Sequence, residues 1–306
     1  MIISASRRTD IPAFHTEWFM NRIDEGYALV RNPSVENLVY RVPLDVRSCD
    51  LIAFITKNPK PMIGNLERLQ DDGYRMHFQV TINPYGKKLE QNVPDPDEVS
   101  GSFRKVSEII GKDRMMWRYD PIIFSDMYDI DFHIGKFESL CSSLEGYTER
   151  CCFNFLDYYS MNADNLSEFS FVRHDSESIR EFVSCLAKIA ERYNISLIHC
   201  SAEFENTGVV NDGCLGKNMM SRLNIPYELP SVPVRKGCKC VKTVDIGEYD
   251  TCNHNCRYCY ANSSDIRKRS NKMYDEKSPL ISGYLRDNDR VIDISRKSVR
   301  ITDFIS

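Results

Sequence analysis

No run in the 306-residue chain approaches the roughly 20 consecutive apolar residues of a membrane-spanning helix. The opening residues, Met1-Ile2-Ile3-Ser4-Ala5-Ser6-Arg7-Arg8, lack the charged-then-apolar layout of a signal peptide. These two absences lead to the expectation of a cytoplasmic protein with no membrane partner. Charge of one sign is also missing. A formal net charge of -4 excludes a global pull toward nucleic acid or anionic lipid, while leaving room for a local basic groove. There is no Walker-type phosphate loop, no dinucleotide glycine fingerprint and no serine-hydrolase elbow. His15, His77, His133 and His174 are isolated from one another and read as ordinary surface or core histidines.

Cysteine, by contrast, is plentiful, with 12 in the chain. In a reducing compartment this usage points to metal binding or buried thiols rather than disulfides. The distribution divides them. Cys49, Cys141, Cys151, Cys152, Cys185 and Cys200 are scattered among apolar residues and read as small core side chains. Cys238, Cys240, Cys252, Cys256 and Cys259 crowd into one short segment for which packing offers no comparable reason.

A chain 42% hydrophobic can bury a large core. Its first two-thirds alternates β-rich runs with helix-period segments. The strands expected are Ile2 to Ser6, Leu51 to Thr56, Met76 to Ile82, Met115 to Tyr119, Cys152 to Leu156 and Ser196 to Ser201. Between them, Val99, Phe103, Val106 and Ile110 recur at helical steps, as do Phe137, Leu140, Cys141 and Leu144, and the series from Ile179 to Tyr193. Earlier helices carry Phe14, Trp18 and Ile23, then Met62, Ile63, Leu66 and Leu69. Helical crossovers imply a parallel sheet, in a barrel or a doubly wound form. The insertion from Tyr27 to Leu44 reads as an extra hairpin around Asn32-Pro33-Ser34. Periodicity fails near Asn206, and Pro226, Pro230 and Pro233 punctuate a connector. The division expected is a strand-helix repeat domain over 1-205, a connector over 206-234, and a cysteine-rich segment with a charged tail over 235-306. That tail, with Arg267-Lys268-Arg269, Lys272 and Lys277, reads as a solvated face.

Ligands in parallel α/β folds bind beyond the carboxyl ends of the strands. The residues just past each expected strand are polar: Arg7, Arg8, Thr9 and Asp10; Lys57 and Asn58; Asn83 and Tyr85; Arg118, Tyr119 and Asp120; Asp157, Tyr158 and Tyr159; His199, Ser201 and Glu203. Arg7, Lys57 and Arg118 suit an anionic small-molecule substrate. Asp10, Asp120, Asp157 and Glu203 are candidates for positioning or proton transfer. The same residues have a structural reading, in which Asp10 caps a helix and Arg7 or Arg118 pairs with Asp120 or Asp157.

The run Cys252-Asn253-His254-Asn255-Cys256-Arg257-Tyr258-Cys259 contains C-x3-C-x2-C. Three thiolates so spaced can hold three corners of an iron-sulfur cubane and leave the fourth iron open. The motif resembles that of radical SAM enzymes, and the string from His254 through Tyr258-Cys259-Tyr260-Ala261 resembles the spore photoproduct lyase branch. The resemblance implies a 4Fe-4S cluster on Cys252, Cys256 and Cys259, with S-adenosylmethionine (SAM) chelated at the open iron and cleaved to a deoxyadenosyl radical. It further implies adenine near Tyr258, and an electron donor such as flavodoxin or ferredoxin. It implies a partial (β/α)6 TIM-like barrel followed here by a C-terminal cysteine-rich iron-sulfur segment. In that superfamily the motif normally follows the first strand, whereas here it follows the whole repeat run. With Ser4-Ala5-Ser6-Arg7-Arg8-Thr9-Asp10-Ile11-Pro12, Thr56-Lys57-Asn58-Pro59 and Arg118-Tyr119-Asp120-Pro121, this layout resembles the bacterial family called domain of unknown function 1848.

Cys238 and Cys240 keep other readings open. Either one as a fourth ligand would close the cluster and give a redox or electron-transfer protein. Together with Cys214 they would instead serve a second site. Four of the five clustered cysteines, or three with His254, would make a structural zinc knot in a binding protein whose basic tail contacts nucleic acid.

Overall fold

The computed structural model describes residues 1-157, 163-200, 202-231, 237-262 and 273-294. Six strands follow the expected runs closely: β1 (Ile2–Ala5), β4 (Leu51–Thr56), β5 (Met76–Thr81), β6 (Met115–Ile122), β7 (Arg150–Phe155) and β8 (Ser196–His199). They lie side by side in chain order, all parallel. Two further strands of two residues each extend the edges. β9 (Val210–Asn211) joins β8, and β10 (Val244–Asp245) joins β1. The result is an eight-stranded parallel sheet whose edge strands, β10 and β9, are not paired with each other. It is an open sheet, not a closed barrel. The two short strands escape a pattern reading because a period needs more than two residues to show itself.

Parallel strands are buried on both faces, and the alternation of side chains assigns each face a different cover. Ile3, Ile52, Phe54, Met76, Phe78, Met115, Trp117, Cys151 and Phe153 point to one side. There they meet Leu66 and Leu69 of α3 (Leu66–Asp71), Phe103 and Val106 of α4 (Pro96–Ile110), Phe137 of α5 (Ile130–Leu144) and, beyond the short α6 (Ala163–Leu166), Phe182 and Leu186 of α7 (Ser176–Arg192). Trp117 stacks on Phe137 at 4.9 Å between ring centres. Three helices start where a side chain satisfies a free amide. Asp129 accepts from Phe132 N, Asp175 from Ser178 N, and Asp10 from Ala13 N at the start of α1 (Ile11–Phe14). The following helix, α2 (Thr16–Glu25), ends at Gly26, whose φ of 78° a side-chain-bearing residue rarely adopts.

The opposite face carries Ile2, Ser4, Ala53, Gln79, Met116, Arg118, Cys152 and Ile198. Its cover comes from late in the chain: Leu215, Met219 and Met220 around α8 (Lys217–Arg222), with Cys240 and Val241. The connector is therefore no loose linker over its described part, since β9 and α8 both pack on the sheet. The expected hairpin is present as β2 (Tyr27–Arg31) and β3 (Leu38–Pro43), antiparallel to each other. A third strand, β11 (Arg290–Asp293), runs parallel to β3. The tail is thus only partly a solvated face. Lys277 is exposed, but Ser278, Leu280 and Ile281 are buried and Trp18 Nε1 donates to Ser278 O at 2.9 Å. Arg267, Lys268, Arg269 and Lys272 lie outside the described residues. No helix among the described residues is long and apolar enough to cross a membrane.

Two buried histidines make stability depend on pH. His133 bridges Tyr119 OH at 2.7 Å and Ile123 O at 2.9 Å, and burial lowers its pKa from 6.5 to about 4. His77 meets Arg114 O at 2.7 Å with its Nε2 unpartnered, and burial, then nearby Arg150, lowers its pKa to about 3. Below pH 6.5 the unfolded chain binds protons that the folded chain refuses, so this stability is present above 6.5 and lost as pH falls toward 4. Urea unfolding between pH 7.5 and pH 5 is expected to show a loss of roughly 1 to 2 kcal/mol per histidine. His133→Gln is expected to shallow that slope without reversing its sign.

Candidate metal centre at the strand ends

After β10 the chain turns over the carboxyl ends of the strands and delivers Cys252, Cys256 and Cys259 beside the loops that follow β1, β4 and β5. The anchors are specific. Asp10 accepts Lys57 N at 2.7 Å and His254 Nε2 at 2.7 Å through a single oxygen. Cys256 bridges Glu90 as an isolated antiparallel pair, Arg257 N donates to Leu89 O, and Asn92 N donates to His254 O. Tyr260 OH donates to Arg7 O at 2.9 Å.

Two of the three sulfurs face backbone amides, and the third, Cys256, lies near Lys57. Cys252 is approached by the backbone amides of His254 and Asp10, and Cys259 by those of Ala261, at 3.3 Å, and Asn262. Amides aimed at sulfur stabilise a thiolate and tune the potential of a bound cluster. Burial pushes all three thiols above their usual pKa in the protein without a metal. Lys57, beside Cys256 and Cys259, supplies compensating positive charge. His254 Nδ1 is buried without a hydrogen-bond partner. The donor set fits an iron-sulfur cluster: three cysteine sulfurs, partly amide-solvated, with a buried cation nearby. Among the described residues no group of three or more His, Cys, Asp or Glu is arranged as the ligand shell of a single ion.

Glu90, which no periodic pattern singles out, is the hub of the site. One of its oxygens accepts Lys57 Nζ at 2.7 Å, Asn83 Nδ2 at 3.0 Å and the Tyr258 hydroxyl. Lys57 lies 5.5 Å from the centre of the Tyr258 ring. Burial opposes the Lys57 charge, but Glu90, Cys256 and Asp120 outweigh it and raise its pKa, so the amine stays protonated. Tyr258 is itself buried, and burial, reinforced by Glu90, holds its phenol well above its usual pKa.

The predicted cations are all charge-matched inside the protein. Arg7 lies 3.5 Å from Asp245 and donates to Thr243 Oγ1, Lys57 pairs with Glu90, and Arg118 pairs with Asp120. Asp120 also accepts Asn154 Nδ2 at 3.2 Å, and its backbone exchanges hydrogen bonds with Asn83. Asp10 does cap α1, as its structural reading expected, yet it also holds the cysteine loop. Asp157 and Glu203 are exposed, and Arg180 donates to the Glu203 carbonyl. Tyr158, Tyr159 and Ser201 lie outside the described residues. Arg8 turns away to line a cavity of about 230 Å³ with Arg31, Tyr40, Thr243 and Asp245. Cys238 and Cys240 join Cys200 and Cys214, not the triad, in thiol contact.

The family model described as Domain of unknown function (DUF1848) matches residues 2–261. The chain belongs to this family. No curated protein matches its sequence. Among solved structures it is similar to Rhizobium etli pyruvate carboxylase T882A crystallised without acetyl coenzyme-A, at 11% identity and a TM-score of 0.32. That match covers 68% of this chain and 23% of the carboxylase chain.

Glu90 is expected to be structurally critical, because losing one partner of a buried pair strands the other charge. Glu90→Ala should lower the unfolding free energy by about 3 to 5 kcal/mol in chemical denaturation at pH 7. Glu90→Ala combined with Lys57→Met should recover much of that loss.

Proposed function

We propose that this DUF1848 protein is an iron-sulfur enzyme of radical SAM type, with the cluster on Cys252, Cys256 and Cys259 and one iron open to SAM. The observation that carries this reading is the fold-back of the C-terminal segment. It puts the C-x3-C-x2-C loop against Asp10, Lys57 and Glu90, at the strand ends where parallel α/β proteins bind ligands. The sheet in this reading is a partial barrel, its strand ends forming the mouth under the cluster. The grouping of Cys238 and Cys240 with Cys200 and Cys214 favours an open fourth iron over a closed four-cysteine cluster.

A bound cluster would supply the electron that cleaves SAM reductively. The chain's own residues do the rest. Lys57 holds its proton beside Cys256 and Cys259 and offsets the negative charge of the thiolates. Glu90 and Asn83 fix the Tyr258 ring, against which adenine would lie. Asp10 and His254 hold the loop that carries Cys252 and Cys256. Because Arg7, Lys57 and Arg118 are each matched by a carboxylate, an anionic substrate would bind by competing with Asp245, Glu90 or Asp120. The substrate is a small molecule entering at this mouth, and the electron donor is a reduced flavodoxin or ferredoxin.

Protein reconstituted anaerobically with iron and sulfide, then given SAM and a strong reductant, is expected to release deoxyadenosine. Cys256→Ala should abolish both the cluster absorbance and the product, whereas Cys240→Ser should keep the triad's cluster. Deoxyadenosine at background level from fully loaded protein would refute SAM cleavage. Loss of the triad's cluster in a Cys240→Ser variant that keeps the native circular dichroism spectrum and thermal stability would favour the closed form.

A further inference from the structure

The second cysteine group is not used by this chemistry, and its make-up is unusual for packing alone. Cys200 follows β8, Cys214 lies in the turn before α8, and Cys238 and Cys240 arrive on the C-terminal segment. Cys200 is in thiol contact with Cys214, Cys238 and Cys240, and Cys240 also meets Cys214 and Cys238. The Cys214 and Cys240 sulfurs are 3.3 Å apart. Cys152, fully buried on β7, touches Cys200 from beneath.

Thiols pack well as small apolar groups, and an apolar role would explain one or two of them. It does not explain four converging from three separate stretches of chain, two of them on a C-x-C turn. The backbone is arranged to bring them together. Gly216 and Cys240 form an antiparallel bridge, and Val241 N donates to Leu215 O at 2.9 Å. A Cβ on Gly213 would stand 2.7 Å from the Lys239 carbonyl, so glycine there lets the two cysteine-bearing strands of chain close up. On the sheet side, the half-buried Arg118 guanidinium lies within electrostatic reach of Cys214 and Cys152, and Gln79 Nε2, next to Arg118, donates to Cys214 O at 3.0 Å.

We infer that Cys200, Cys214, Cys238 and Cys240 form a four-thiolate site for one zinc ion, separate from the triad, that staples the C-terminal segment to the sheet. Four sulfurs around zinc at about 2.3 Å stand about 3.8 Å from one another. The 3.3 Å contact between Cys214 and Cys240 is that shell collapsed by roughly half an ångström, which is why the free thiols are not in ligand geometry. Spacing this tight suits a single ion, whereas a cubane needs its thiolates farther apart. Among divalent ions, soft thiolates with tetrahedral freedom favour zinc over iron. Loading exchanges four thiol protons for one Zn²⁺ with no change of oxidation state, and leaves a net charge of -2 that Arg118 partly offsets. The purpose is mechanical. β9 and β10 are two-residue strands, and the described part of the path between them adds no strand to the sheet.

The full-length Cys252→Ala/Cys256→Ala/Cys259→Ala variant isolates this site, since the triad can then hold nothing. Purified without oxygen, it is expected to retain about one zinc per chain and no acid-labile sulfide. Exchange with Co²⁺ should give a thiolate-to-cobalt charge-transfer band and intense d–d bands of a tetrahedral all-sulfur site. Adding Cys214→Ser or Cys240→Ser should abolish zinc retention, whereas Cys152→Ser should leave it. Should the serine variants fail to fold, the cobalt spectrum of the triple variant decides alone, because it reports how many sulfurs bind. Zinc-free protein with no cobalt-thiolate bands overturns the inference, as does a Cys214–Cys240 disulfide by mass spectrometry. Iron with sulfide in the triple variant also overturns it, by assigning a second cluster instead.

Discussion

The Asp10 carboxylate is the point on which the candidate site hangs. One oxygen accepts Ala13 N at 3.0 Å and starts α1. The other accepts Lys57 N at 2.7 Å, fixing the exit of β4, and His254 Nε2 at 2.7 Å, fixing the loop between Cys252 and Cys256. Phe14, at the end of the helix that Asp10 caps, packs edge-on against His254 at 4.6 Å between ring centres. A carboxylate with only 5% of its residue surface exposed is stable only when its acceptors are engaged, and here each partner belongs to a different part of the chain. The early strands and the late cysteines thus share one buried charge. Removing it would free the helix start, the strand exit and the cysteine loop together.

From this point a polar chain runs across the strand ends. Lys57 leads to Glu90, Glu90 to Asn83 and Tyr258, Asn83 to Asp120, and Asp120 through Arg118 to Gln79 and the Cys214 carbonyl. Its two ends lie at the two sulfur groups. Buried ion pairs contribute little net stability, since desolvation consumes most of the Coulombic gain, but a fully connected network admits few alternative geometries. Its value here is positional. It sets the triad, the Tyr258 ring and the connector in one frame, on a face of the sheet where ordinary apolar packing gives way to Ser4, Gln79 and Arg118.

What could be read from the sequence follows from which patterns are long enough to repeat. The six main strands and the helices around Val106, Phe137 and Leu186 stand where hydrophobic periodicity puts them, because each packs a continuous apolar stripe. The hairpin around Asn32-Pro33 was equally legible from its turn chemistry. β9 and β10 were not, since two residues carry no period, and neither was β11, whose partner β3 lies far away in sequence. Glu90 was invisible for a related reason. It lies past β5 in a stretch without periodicity, and only the cysteine loop coming to rest there gives it Tyr258 and Cys256 as neighbours. Cys200 looked like one more small core residue among six. Nothing in its local surroundings announces Cys214, Cys238 and Cys240. The charged tail misled in the opposite sense, because charge counts do not reveal that Ser278, Leu280 and Ile281 turn inward.

Under the proposed function, the position of the motif late in the chain is the main departure from the radical SAM pattern. In those enzymes, as the resemblance implies, the cysteines follow the first strand of the barrel. Here the spatial order of the sheet begins with β10, then β1, then the remaining strands. β10 runs parallel to β1 in register Ile3 with Val244 and Ser4 with Asp245, and the cysteine loop emerges from its carboxyl end. Ser4, Ser6 and the Arg7 amide all bond the Asp245 side chain, which fastens this edge strand where a longer ladder would otherwise be needed. Counted in space instead of along the chain, the triad follows the edge strand β10, which lies next to β1. A chain whose last segment adds an edge strand must hold that strand in place without the help of sequence proximity. Asp245, the Asp10 to His254 contact and the four-thiol site are three separate devices doing so, placed before, within and upstream of the loop that carries Cys252, Cys256 and Cys259.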